Sequence, residues 1–190
     1  MGAETLAPGE KNAKRWRARL IFVDESGFSL IPPTRRTWAR RGEPPIIRHP
    51  FSWPKLSAIS GVTRDGQLYL HLVRGSIKSN EVLRFLAALL RHIRRRIIVL
   101  WDNAGIHRSQ LIKDWLRAHP RLWVEYLPPY ACELNADEGV WEHLKGAPLG
   151  NYCATDERDL ERRVRSCVRR LQRRKAVIRG FFRRTPLAHV

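Results

Sequence analysis

Acidic residues are scarce in this chain: 18 Asp and Glu stand against 36 Lys and Arg among 190 residues, a formal charge of +18. That imbalance points to a polyanionic partner, nucleic acid above all. Cysteine is rare too. Cys132, Cys153 and Cys167 form no C-x-x-C pair and leave one thiol over in any pairing scheme, which argues against a disulfide framework and for a reducing compartment. No stretch approaches the roughly 20 apolar residues of a membrane span. The first residues, MGAETLAPGEKNAKRWRAR, lack the apolar segment of a secretory signal. The expected location is the cytosol, associated with the nucleoid, with no membrane partner. A G-x-S-x-G elbow, a Walker-type phosphate loop and internal repeats are also missing, so serine nucleophiles and nucleotide hydrolysis find little support.

What remains fits one domain with a real core, given 43% hydrophobic residues. Residues 1–18 are polar and read as a loose leader or the remnant of an upstream domain; 19–182 form the body and 183–190 a tail. Arg19–Asp24 is a short apolar strand. A proline- and arginine-bearing loop follows over 28–55, around Trp38 and Trp53. Leu56–Thr63 and Gln67–Arg74 form a hairpin across Asp65-Gly66. A helix opens at Ser79-Asn80-Glu81 and carries Val82, Phe85, Leu86, Leu89, Leu90 and Ile93 at helical spacing. Then come strand Ile97–Leu100, a helix over Ser109–Ala118, strand Leu122–Leu127, a helix from near Asn135, and one long basic helix from Thr155 to Arg179. Three strands followed by alternation predict an α/β fold, a mixed five-stranded sheet flanked by helices.

Against the basic background, three acids stand out. Asp24 ends the LIFV run, Asp102 follows IIVLW, and Glu138 lies in LNADEGVW. Hard cations such as Mg²⁺ take oxygen ligands, usually one or two carboxylates completed by water and phosphate. Two ions roughly 3.5–4 Å apart can serve an in-line phosphoryl displacement. Each acid also has an ordinary reading, as a turn or cap residue or a first-turn acid favoured by the helix dipole. Glu25 follows Asp24 and should point to the opposite strand face, outside any ligand set. Asp137 competes with Glu138; Glu133 and Glu142 are weaker candidates.

The segments VDESGF (23–28), RTWARRGEPP (36–45), WPKLSAISGV (53–62), LWDNAGIH (100–107) and YLPPYACELNADEGVWEHLK (126–145) resemble signatures of mariner-like bacterial insertion-sequence transposases, part of the DDE superfamily. The likeness runs from Leu20 to Phe182. It implies a ribonuclease H-like catalytic domain that cleaves transposon ends and transfers the strand into target DNA. It makes Asp24, Asp102 and Glu138 the catalytic, metal-binding triad for two Mg²⁺ ions, with Mn²⁺ able to substitute. Asn103 and His107 occupy positions where the family has a polar residue and a histidine. His107 either orients a phosphate or an acid, or caps the next helix; the first role would put it among the DNA-contacting residues. One departure is Asn135-Ala136-Asp137-Glu138, where the family has asparagine, proline, an apolar residue and the glutamate. Asp137 could perturb the site or mark a decaying copy.

The implied partner is DNA, both terminal inverted repeats and target. Arg35, Arg36, Trp38, Arg40 and Arg41 are the candidate contacts in the loop; Trp38 either stacks on a base or packs on the sheet. Arg162, Arg163, Arg165, Arg169, Arg170, Arg173 and Arg174 either track phosphates or line a solvated helix. The family's helix-turn-helix modules are not in this sequence, so an upstream partner polypeptide is expected unless the copy is truncated. A homodimer is the other assembly to look for. The competing functions are a degenerate DNA-binding relic and another ribonuclease H-like nuclease.

Overall fold

The structure, a computed structural model, describes residues 16–49, 56–129, 132–183 and 185. Five strands form one sheet in the order β3-β2-β1-β4-β5: β1 Arg19–Phe28, β2 Leu56–Val62, β3 Leu68–Arg74, β4 Ile97–Trp101 and β5 Leu122–Tyr126. The β1–β2 and β2–β3 pairs are antiparallel, whereas β1–β4 and β4–β5 are parallel. Among the described residues five helices flank it: α1 Ser79–His92, α2 Gln110–Ala118, α3 Glu138–Lys145, α4 Glu157–Gln172 and α5 Lys175–Arg183. Short 3₁₀ turns span Gly105–Arg108 and Cys132–Leu134. This is the ribonuclease H-like arrangement expected from the sequence.

Strand alternation decides which helices cover which face. Phe22 and Leu100 join one core with Leu144, Val164, Leu171 and Ile178 from α3, α4 and α5. Ile21, Val23, Val99 and Trp101 join the other with Val82, Phe85, Leu86 and Ile112 from α1 and α2. Because β1 and β4 are covered on both faces, they read as continuous apolar runs rather than as alternating ones.

Three boundaries differ from the sequence reading by more than one residue. β1 does not stop at Asp24 but continues to Phe28, paired with β2 as far as Phe28↔Leu56. Its pairing with β4 ends earlier, at Phe22↔Leu100, so Asp24 sits where β1 has outrun its parallel neighbour. Crevices beyond the carboxyl ends of parallel strands are where open α/β sheets bind ligands. Secondly, α3 begins at Glu138; residues 135–137 form its entry turn through Glu138 N→Asn135 O at 3.1 Å and Val140 N→Asp137 O at 2.9 Å.

Thirdly, the single basic helix expected over 155–179 is two helices, broken between Gln172 and Lys175. The apolar series Leu171, Ile178, Phe182 stays in helical phase across the joint, so periodicity cannot show it. At the joint the β2–β3 turn presses in: a Cβ on Gly66 (φ +87°) would lie 2.7 Å from the Lys175 carbonyl oxygen. Beyond it, α5 reaches the sheet through an edge-on Phe22–Phe182 pair with ring centroids 5.5 Å apart.

Trp16, which the sequence reading assigns to the leader, packs edge-on against Trp123 at 5.7 Å. Residues 1–15, Trp53 and the tail beyond 185 lie outside the described residues. Cys153 and Cys167 are free thiols. Among the described residues no helix is long and apolar enough to cross a membrane.

Candidate active site

Asp24, two residues after Phe22, faces the α3–α5 side of the sheet. The parallel register Phe22↔Leu100, continued by two residues, sets Asp102 beside it. The chain leaves β4 as an irregular segment at Asp102, and the entry turn of α3 brings Glu138 across. Asp24, Asp102 and Glu138 line one cleft of about 470 Å³, together with Asn103, Arg108, Pro128 and Asn135. The three acids singled out by the sequence thus share one cavity. Arg108 is the cationic side chain lining it.

Each acid is held differently. Asp24 Oδ2 accepts a hydrogen bond from Trp141 Nε1 on α3 at 2.9 Å. Burial, then the charges of Glu138 and Glu25, push its carboxyl up to about 7, despite hydrogen bonds that favour the charged form. Asp102 is exposed, and its Oδ1 accepts from Ala104 N at 3.0 Å. Glu138, in the first turn of α3, is partly buried. Burial raises its carboxyl, Lys145 opposes this, and Glu142 adds to it.

Asp137 and Glu138, neighbours in sequence, are placed differently: Glu138 lines the cleft and Asp137 does not. Asp137 is fully buried, with Oδ2 accepting from Ser60 Oγ at 2.5 Å while Oδ1 has no partner among the described residues. Ser60 is the ladder partner of Asp24 on β2, so Asp137 lies under the sheet side of the site and not among the cleft residues. Burial foremost holds its carboxyl well above the ordinary carboxylate range; the Ser60 hydrogen bond opposes, and Asp24, Glu25 and Glu138 reinforce. Asn135 fixes the entry turn: its Nδ2 donates to Val23 O at 3.0 Å, and its Oδ1 accepts from Asp137 N at 3.1 Å. Gly139 lets α5 close on this turn, since a Cβ there would meet Phe181 Cγ at 2.6 Å.

His107 is fully buried, which corrects its expected place among the direct DNA contacts: the ring has no exposed face to offer. Nor does it cap α2, whose first turn is capped by Ser109 Oγ accepting from Ile112 N at 3.4 Å. Its Nε2 meets Glu25 Oε1 at 2.8 Å and its Nδ1 meets Asp102 Oδ1 at 3.0 Å. Burial alone would lower His107, but Glu25 and then Asp102 outweigh it and the net shift is upward. Strand alternation correctly turns Glu25 away from Asp24, and for that reason the sequence reading overlooks this contact. The signal that could have found it is the alternation of β1 combined with a histidine five residues after Asp102.

The arginine loop stands apart from the core. Residues 34–46 are exposed and Trp38 is 99% exposed, so it does not pack on the sheet. The root of the loop is tied: Arg35 N donates to Asn151 Oδ1 and Asn151 Nδ2 donates to Arg35 O, each at 2.8 Å. On α4, Arg163 donates to Pro148 O at 2.8 Å and Arg165 to Glu161 at 2.8 Å, so part of its basic face is committed internally.

A curated relative, the insertion element IS630 uncharacterized 39 kDa protein of Shigella sonnei, is 27% identical over 149 residues, covering 77% of this chain and 43% of the relative. The chain thus spans less than half the length of that protein. The catalytic domain of the Mos1 mariner transposase superposes with a TM-score of 0.56 at 15% identity, covering 93% of this chain and 89% of that one. The Mos1 strand transfer complex gives 0.61 at 18% identity, over 93% and 58%; the Mos1 paired-end complex with Mg gives 0.63 at 18%, over 93% and 59%. At such identities the likeness establishes the fold. The sequence profile of the DDE superfamily endonucleases matches residues 19–161, and the chain belongs to that family.

Proposed function

We propose that this domain cuts DNA at the ends of a mobile element and joins the freed strand to target DNA by metal-dependent phosphoryl transfer. One observation carries the reading: Asp24, on β1 where that strand has outrun β4, Asp102, just beyond the end of β4, and Glu138 line the same cleft. The kinship with an insertion-element protein and the fold shared with Mos1, solved as transposon-end complexes, support DNA as the substrate.

The donor set fits a hard divalent ion. Its ligands are carboxylate oxygens, and the Glu138 charge helps raise Asp24, a repulsion that a cation would relieve. Among the described residues no three His, Cys, Asp or Glu side chains stand close enough to hold one ion as placed. Mg²⁺ needs only one or two protein carboxylates, with water and phosphate completing its shell. Asp24 and Asp102 would supply these, Glu138 would complete a second site, and Mn²⁺ would substitute. When bound, such ions offset phosphate charge and make water a better nucleophile.

The chain's own groups do the positioning. Trp141 and Ala104 N–H fix the Asp24 and Asp102 carboxylates. Arg108 would take a non-bridging phosphate oxygen, and the Arg35–Arg41 loop with Trp38 would grip the flanking duplex. Hydrolysis at the element's end leaves a 3′-hydroxyl, which would then attack a target phosphodiester in the same cleft and displace the target strand's own 3′-oxygen as a hydroxyl. A second copy and a helix-turn-helix polypeptide would supply pairing and end recognition. The Asp137 carboxyl does not line the cleft and is hydrogen-bonded to Ser60 beneath it, so all three cleft acids stay available to a cation. Asp102→Asn should abolish Mg²⁺-dependent nicking of an inverted-repeat oligonucleotide while DNA binding persists; nicking retained by the variant would refute the assignment. Cleavage of RNA–DNA hybrids in preference to DNA would favour a different nuclease.

A further inference from the structure

We propose that Glu25, acting through His107, is a positioning residue that sets the carboxylate of Asp102. Neighbouring acids on β1 serve opposite faces of the sheet. Asp24 looks toward α3; Glu25, next in the strand, follows Ile21 and Val23 toward the α1–α2 side. There its Oε1 lies 2.8 Å from His107 Nε2. The other ring nitrogen lies 3.0 Å from Asp102 Oδ1 and 3.2 Å from the Asp102 carbonyl oxygen.

The bridge is rigid. The His107 ring lies flat on Trp101, with centroids 4.1 Å apart and planes 2° from parallel, and Tyr126 Oη donates to the His107 carbonyl at 3.2 Å. The ring is fully buried, whereas the Asp102 side chain it touches is 56% exposed. An exposed carboxylate on an irregular segment would otherwise sample several rotamers. Here the Ala104 N–H donates to Oδ1, and the histidine, whose Nδ1 hydrogen-bonds the Asp102 carbonyl oxygen, stands 3.0 Å from the same Oδ1 as an ion-pair contact, which holds that carboxylate oxygen from two sides. Partners standing behind a ligand in this way raise metal affinity by about 10–100-fold. His107 itself is not a ligand in this scheme, since both ring nitrogens are committed to Glu25 and Asp102.

The inference rests on the assignment of Asp102 as a ligand, so the experiment separates the two. Mn²⁺ binding to the full chain is measured by calorimetry or electron paramagnetic resonance, alongside nicking and thermal melting. Glu25→Met keeps the volume without an acceptor, and Glu25→Gln keeps an acceptor oxygen for His107. His107→Asn cuts the same bridge at its middle, and serves if the Met variant melts too low to assay. Asp102→Asn is the control. Glu25→Met and His107→Asn should each weaken Mn²⁺ binding by about tenfold and lower kcat for nicking with KM for DNA unchanged. Glu25→Gln should stay within about twofold of the parent. Parent-like Mn²⁺ affinity in Glu25→Met or His107→Asn, or equal impairment in Glu25→Gln and Glu25→Met, overturns the positioning role. Undiminished Mn²⁺ binding by Asp102→Asn would instead overturn the site assignment on which it rests.

Discussion

Trp141 Nε1 donates to Asp24 Oδ2 at 2.9 Å, so the helix that carries Glu138 also holds the acid on the strand opposite. The indole is 3% exposed and packs edge-on to Phe28 at 6.1 Å. Trp141→Phe keeps most of that packing and removes the donor. A hydrogen bond to a charged group is worth about 1.5–3 kcal/mol. The variant should therefore nick DNA on the order of tenfold more slowly, with only a modest fall in Tm. A nicking rate equal to the parent's would reduce Trp141 to a core residue.

The raised carboxyl of Asp24 gives a pH dependence in the absence of metal. Its pKa rises on folding from the ordinary 3.8 to about 7. Between those values the native state binds a proton that the unfolded chain has released, so stability falls as pH rises through the window and levels above it. The swing attributable to this group is on the order of 4 kcal/mol. Melting curves of the parent and Asp24→Asn from pH 4 to 8 should diverge in that sense, with the parent losing relative stability toward pH 8. Added Mg²⁺ should shrink the difference. Curves that run parallel would contradict the shift.

Because Trp38 is 99% exposed, its removal should leave the fold untouched. Trp38→Ala should keep the parent Tm while weakening binding to transposon-end DNA, with stacking worth about 1–3 kcal/mol per base. Arg40→Ala and Arg41→Ala should each reduce the salt slope of binding by about one. Salt titrations that superimpose on the parent's would remove this loop from the DNA interface.

Gly139 separates the α3 entry turn from Phe181 with no room for a methyl group, as the 2.6 Å approach shows. Gly139→Ala should cost about 1–3 kcal/mol through overpacking and shift Glu138 in the cleft. Thermal melts and nicking assays should fall together. A Tm at or above the parent's would mean that Phe181 yields freely.

Much of the fold is legible in the amino-acid sequence. Apolar runs locate all five strands, and Asp65-Gly66 locates the hairpin. Binary pattern and turn chemistry act locally, so one sequence is enough to show them. The break at Arg173–Arg174 stays hidden because a tertiary contact with Gly66 lies at the joint while the apolar phase runs on. Asp24 and Asp102 are legible as anomalies in a basic chain. The choice between Asp137 and Glu138 is not, since it turns on which side of a short entry turn faces Ser60. His107 reads in the sequence as a DNA-side residue or a helix cap because its bonding partner Glu25 lies on a distant strand, and only the fold brings the two together over Trp101.

The division of labour along β1 has a consequence for which length changes the chain can survive. Adjacent carboxylates, Asp24 and Glu25, serve opposite faces, and a one-residue slip of a strand exchanges its faces. Deleting one residue between Arg19 and Val23 would still present an acid toward the cleft, yet it would bring the apolar set of one core into the other. Between Arg36 and Glu43, in the exposed loop, the same deletion would move no core side chain. Natural variation in the length of this domain should therefore gather in that loop and avoid β1.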